Sequence, residues 1–189
     1  MNGENNKRNR HSMRLKGYDY SEEGAYFVTI VAFNREMVFG KVVEGEMLLN
    51  DFGEIIQFTW NDLINHFQNI ELDEYVIMPN HFHGIIIIET PAGVGSKPTS
   101  KESNICSVLT NEPSRAGHGP APTSLPEIMR QFKTFSSKRI NQLRGTTGIA
   151  IWQRGYYDHI IRDGKDFDNI VNYIYMNPSN WETDDEFEN

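Results

Sequence analysis

The chain has 189 residues, one cysteine, a net charge of −8 and a pI ≈ 5.2. Those values suit one domain with a sizeable core, exclude a disulfide framework or a multi-cysteine zinc site, and argue against a surface that attracts phosphate all round. No run of about 18 apolar residues is available to cross a membrane and the start is polar, so a cytoplasmic, reducing location is expected.

The charge is unevenly spread. Residues 1–18 carry five basic residues against one acidic and residues 125–165 eight against three, whereas residues 19–90 carry thirteen acidic against two basic. Residues 1–18 therefore read as a basic, flexible start in which Arg14 and Lys16 are candidate phosphate contacts. Gly24 to Phe33 is aromatic and β-branched throughout, as a central strand requires. A hairpin follows around Glu44-Gly45-Glu46 and is expected to be an edge ornament. Asn50 or Asp51 caps a helix whose apolar residues Phe52, Ile55, Ile56, Trp60, Leu63, Ile64 and Phe67 recur at helical spacing, and Glu54 completes a capping box with Asp51. Glu71 to Met78 reads as a strand with Leu72, Tyr75 and Ile77 inward, and Pro79-Asn80 turns it into His81-Phe82-His83-Gly84-Ile85-Ile86-Ile87-Ile88, a buried central strand.

Residues 90–124, rich in Pro, Gly, Ser and Thr, cannot offset their ordering entropy and read as a disordered insertion, so Cys106 and His118 are excluded from any site. Ser124 caps a second helix with Ile128, Met129, Phe132, Phe135, Ile140 and Leu143 on one stripe and Arg130, Lys133, Lys138, Arg139 and Arg144 around it, a candidate phosphate surface. Ile149 to Ile161 is strand-like, with Arg154 and Arg162 as further phosphate or carboxylate partners. A third helix runs from Lys165 to about Asn177, with Phe167, Ile170, Val171, Ile174 and Tyr175 inward, and Pro178 ends it. Residues 182–189 form an acidic tail. The order strand, helix, strand, strand, helix, strand, helix predicts one α+β domain over 19–181, a ferredoxin-like split β-α-β sandwich with an antiparallel sheet and an additional C-terminal helix.

His81 and His83 lie two apart on a strand and so share a face, which makes them half of a metal site. Two half-buried histidines bonded to backbone are the blander alternative. Tyr173 and Asn177 lie one helical turn apart and project together, offering a phenol and an amide oxygen that suits Mg²⁺ or Mn²⁺. A core tyrosine and a plain helix stop would explain them equally well taken singly. Tyr156, Tyr157 and Tyr175 are rival nucleophiles, although Tyr175 lies about 200° around the helix from Tyr173.

Three segments, His81-Phe82-His83, the run from Trp152 through Arg162, and Tyr173-Ile174-Tyr175-Met176-Asn177-Pro178, together resemble the HUH single-tyrosine transposases and within them the REP-associated tyrosine transposases. The resemblance covers roughly residues 14–90 and 125–181. It implies a metal-dependent single-strand DNA endonuclease and strand-transferase acting on hairpin or palindromic DNA, as a monomer or homodimer. It also implies that His81, His83 and Asn177 hold the metal, that Tyr173 forms a 5′-phosphotyrosine link, and that Asp158 and His159 support the site. A non-catalytic nucleic-acid-binding module of the same fold and an unrelated His-x-His metallohydrolase are the alternative readings.

Overall fold

The computed structural model describes residues 15, 17–89 and 123–183. Arg14, Lys16, Cys106, His118, nearly all of the expected insertion and the end of the acidic tail lie outside the described residues. Strands β1 (Gly24–Val31), β4 (Ile70–Ile77), β5 (His81–Ile88) and β6 (Tyr157–Ile161) form one antiparallel sheet in the order β4-β5-β1-β6. With helices α1 (Asp51–Asn61) and α2 (Leu125–Leu143) between its strands and α3 (Gly164–Met176) after them, the sheet completes the ferredoxin-like α+β sandwich, with the histidine strand central. The hairpin of β2 (Gly40–Val43) and β3 (Glu46–Leu49) stands apart as its own small sheet.

Strand alternation divides β5 between two environments. Phe82, Gly84 and Ile86 turn toward α1 and α2, joined from β1 by the fully buried Tyr26, Val28 and Ile30. The ring of Phe82 lies 4.6 Å from that of Trp60 on α1 and 5.1 Å from that of Phe132 on α2. Gly84 is where the Trp60 indole lies flat on the strand, and a Cβ there would come within 2.8 Å of it. Burial of side chains this large stabilises the fold by about 1.5–3 kcal/mol each. His81 and His83 point to the opposite face.

Several expectations change in detail. β1 ends at Val31, and beyond it Ala32 makes an isolated bridge with Trp152. The first helix stops at Asn61 and continues as a 3₁₀ turn, Asp62–Asn65, that leaves Ile64 exposed. Its cap is Asn50, whose Oδ1 accepts from the amides of Phe52 and Gly53. Glu54 therefore stands one position too late for a capping box. Ser124 caps α2 with its backbone carbonyl and makes no side-chain capping bond. Leu143 and Tyr175 are exposed, against the inward placement the sequence predicts for both. The 149–161 run yields strand only from Tyr157, because Gly155 adopts a left-handed conformation (φ 87°) that breaks it. A register shift between Leu72 and Tyr75 explains how three residues spaced three and then two apart all face the core side of β4. The tip of the β2–β3 hairpin turns through Glu44 and Gly45, both at positive φ, and Gly45 lies against Ser179 beyond the end of α3.

Candidate catalytic and metal-binding site

On the face of the sheet opposite α1 and α2, β5 presents His81 and His83, and β1 presents Thr29 opposite His83. Both histidines are buried, with ring centroids 4.6 Å apart. Each ring is oriented through Nδ1: His83 Nδ1 meets Thr29 Oγ1 at 2.7 Å, and His81 Nδ1 meets Asn80 Oδ1 at 2.9 Å. An amide oxygen can only accept, so His81 carries a proton on Nδ1. Asn80 is itself held, since its Nδ2 donates to the carbonyl of Arg35 at 3.4 Å in a loop where Asn34 and Arg35 both adopt positive φ. Burial, and secondarily the neighbouring His81, hold the His83 imidazole well below the usual histidine range. His83 is thus a neutral ring at pH 7.

α3 crosses this face. The Tyr173 hydroxyl lies 3.2 Å from His83 Nε2, and its ring stands edge-on to Phe27, which in turn stacks on His83. Trp181, two turns on, packs its ring 5.8 Å from that of His81. Asn177 falls midway between these two contacts, one turn from each, and is 2% exposed. Tyr175 is 79% exposed on the far side of the helix, and Tyr156 is buried, whereas Tyr157 is half-exposed on the site face of β6. Among the described residues no group of three His, Cys, Asp or Glu side chains clusters for a metal. Two imidazoles and an amide oxygen are donors of a kind that a hard divalent cation accepts.

The candidate phosphate contacts separate. α2 packs on the opposite face of the sheet from Tyr173, so its basic residues stand away from the histidines. Arg130 is paired to Glu127 at 2.5 Å. Lys133 donates to the carbonyls of Gln153 and Gly155, each at 2.6 Å, and burial pushes its ammonium down to about 8. Arg139 pairs with Asp62 at 2.7 Å and lies over the Phe58 ring, while Arg144 lies over Phe52. Lys138 is exposed on the same distant helix. Arg154 and Arg162, which flank β6, are exposed.

The two supporting candidates face opposite ways. Asp158 points to the core side and accepts from the Tyr20 hydroxyl at 2.5 Å, tying the segment before β1 to β6. His159, opposite Phe27, is on the site face and bonds Asp166 at 2.8 Å. Thr29 and Asn80 are the residues that sequence reasoning missed. Asn80 could have been found from its place beside His81, but Thr29 only from the strand register.

No family model matches the chain. An uncharacterized protein of Haemophilus influenzae is 38% identical over 179 residues, covering 93% of this chain and 91% of its own length. A second protein of that organism, provisionally named a REP-associated tyrosine transposase, is 26% identical over 160 residues, covering 85% of this chain and 73% of its own. Among solved structures, a REP-associated tyrosine transposase bound to a REP hairpin matches with a TM-score of 0.54 at 18% identity, over 89% of this chain and 73% of that one, a likeness of fold.

Proposed function

The chain belongs to one family with the 38%-identical Haemophilus influenzae protein and is kin to the REP-associated tyrosine transposases; from that premise we propose that it cuts and rejoins single-stranded DNA beside a hairpin, with Tyr173 as nucleophile. The observation that carries this reading is the 3.2 Å contact between the Tyr173 hydroxyl and His83 Nε2, on a ring oriented from behind by Thr29.

In the reaction a bond forms between the Tyr173 phenolic oxygen and a backbone phosphorus, and the bond from that phosphorus to the 3′-oxygen breaks. The phenol loses its proton, the departing oxygen takes one up as a free 3′-hydroxyl, and the 5′ side stays on the protein as a phosphotyrosine. Because the phosphodiester energy is retained in that link, rejoining is the same step reversed. A free phenol has a pKa of about 10, so the site has to favour the phenolate. His81, His83 and Asn177 would hold Mg²⁺ or Mn²⁺, which supplies charge stabilisation at the phosphoryl oxygens. The neutral ring of His83 suits that role, since imidazole must be unprotonated to ligate. With an ion held there, the phenol would stay beside His83 through its edge-on contact with Phe27, which stacks on that ring. Arg154 and Arg162, exposed beside β6, are the phosphate contacts this reading assigns.

Incubation with a single-stranded hairpin oligonucleotide and Mn²⁺ should yield a denaturation-resistant adduct that Tyr173→Phe abolishes without loss of hairpin binding. Calorimetric titration of Mn²⁺ should show binding lost in His83→Ala and kept or tightened in Tyr173→Phe. An adduct that persists in Tyr173→Phe and vanishes in Tyr157→Phe would move the nucleophile to β6. Its absence from the wild type with several repeat hairpins would leave a DNA-binding module.

A further inference from the structure

α3 carries the nucleophile and yet is lightly held. Ile174 is its one buried residue, and Phe167, Ile170 and Val171 are half-buried. Its C-terminal end is fixed by buried Asn177 and by Trp181 against His81. At its N-terminal end there is no comparable apolar anchor, and the joint to β6 is polar. Asp163 caps the helix by accepting from the Asp166 amide at 2.9 Å. The Asp166 carboxylate then reaches back over the strand, where its Oδ2 accepts from His159 Nε2 at 2.8 Å and from the Arg162 amide at 3.2 Å. The His159 bond is the leading cause that holds the Asp166 carboxyl below the usual range. An ionised carboxylate only accepts, so Nε2 is the protonated nitrogen of His159.

We infer that His159 and Asp166 form a clasp that positions Tyr173, fixing the N-terminal end of α3 to β6 so that the phenol meets His83. The geometry makes the clasp matter. Tyr173 is four residues from Asn177, where the end of α3 is held, roughly 6 Å along the helical rise, so a swing of about 10° around that end carries Tyr173 by about 1 Å. A displacement of that size removes a 3.2 Å contact, and misplacement of a reacting group by about 1 Å can cost up to 10²-fold in rate. His159 lies on the site face opposite Phe27, whose ring also contacts Tyr173, so clasp and nucleophile share one layer of side chains. His159 is therefore a positioning residue that acts through Asp166 and α3.

The inference rests on the proposed chemistry for its effect on rate, but the clasp itself can be tested without it. In His159→Ala, hydrogen exchange of the α3 amides should quicken while β1 and β5 stay unchanged. The rate of adduct formation should fall about tenfold or more, with hairpin Kd within about twofold of wild type. His159→Gln, which keeps an N–H donor near the Nε2 position, should restore both exchange protection and most of the rate. The double variant His159→Ala/Asp166→Ala should be little slower than the slower single variant, because both remove one interaction. Unchanged α3 exchange in His159→Ala would overturn the clasp, whatever the adduct assay shows. A His159→Gln enzyme as slow as His159→Ala would also overturn it and place His159 among the reacting groups. A wild-type protein that forms no adduct would refute the nuclease reading, while the exchange result would still decide the clasp.

Discussion

The two faces of β5 are built from one stretch of chain and by opposite rules. Phe82 and Gly84 meet Trp60 and Phe132 in a dry layer, where contact area sets the energy. His81 and His83, on alternate positions, meet Asn80, Thr29, Tyr173 and Trp181, where hydrogen bonds set orientation. One face supplies stability and the other holds polar groups that cost desolvation to bury. This division is how a single strand can present a rigid pair of imidazoles: the apolar half fixes the backbone to which the polar half is attached.

The division is open to measurement, and the largest effect is expected on the dry face. Phe82→Ala should lose about 3–5 kcal/mol in denaturant unfolding, whereas His83→Ala should lose less than about 1 kcal/mol because burial of its polar ring is a cost that the variant relieves. Equal losses would refute the division. Gly84→Ala should cost about 1–3 kcal/mol, since the new methyl meets the Trp60 ring, and a neutral result would mean that the indole can retreat. A salt titration of hairpin binding separates the faces by charge. Arg154→Ala and Arg162→Ala should each flatten the slope of log K against log salt by about 1, while Arg130→Ala and Lys138→Ala leave it alone. A flattened slope for Arg130→Ala would bring α2 back to the DNA.

The smallest effect concerns Lys133. Its folded value is lowered to about 8, so below that pH both states are protonated and the fold bears the desolvation of the cation. Between about 8 and the ordinary lysine value the unfolded chain holds the extra proton, and stability rises with pH. Thermal melts across that window should show the rise in wild type and lose it in Lys133→Met; identical profiles would show that the ammonium keeps its charge through the carbonyls of Gln153 and Gly155.

What could be read from the sequence followed periodicity. Four isoleucines in a row placed β5 at the centre, and the spacing of Tyr173 and Asn177 put both on one side of the helix, the side from which Tyr173 meets His83. Layer assignment was not legible. The basic stripe of α2 gives no sign of which face of the sheet it covers, because that follows from the handed connection between strands rather than from any residue in the helix. Lys133 and Arg139 read as surface cations, and only tertiary packing brings carbonyls to one and Asp62 and Phe58 to the other. Thr29 escaped for a similar reason, since it is 54 residues from its partner His83. Asp158 and His159 are adjacent in sequence and serve opposite faces, a distinction that depends on the alternation of β6 alone.

The edges of the sheet also differ in charge. β4, with its register shift, carries Glu71, Asp73 and Glu74 along one border, while Arg154, Arg162 and Lys165 gather at the β6 border. The irregular, acidic border discourages another strand from adding to it. It also makes the field uneven across the sheet, because the β4 border has acidic residues alone whereas the β6 border mixes Arg154, Arg162 and Lys165 with Asp158, Asp163, Asp166 and Asp168.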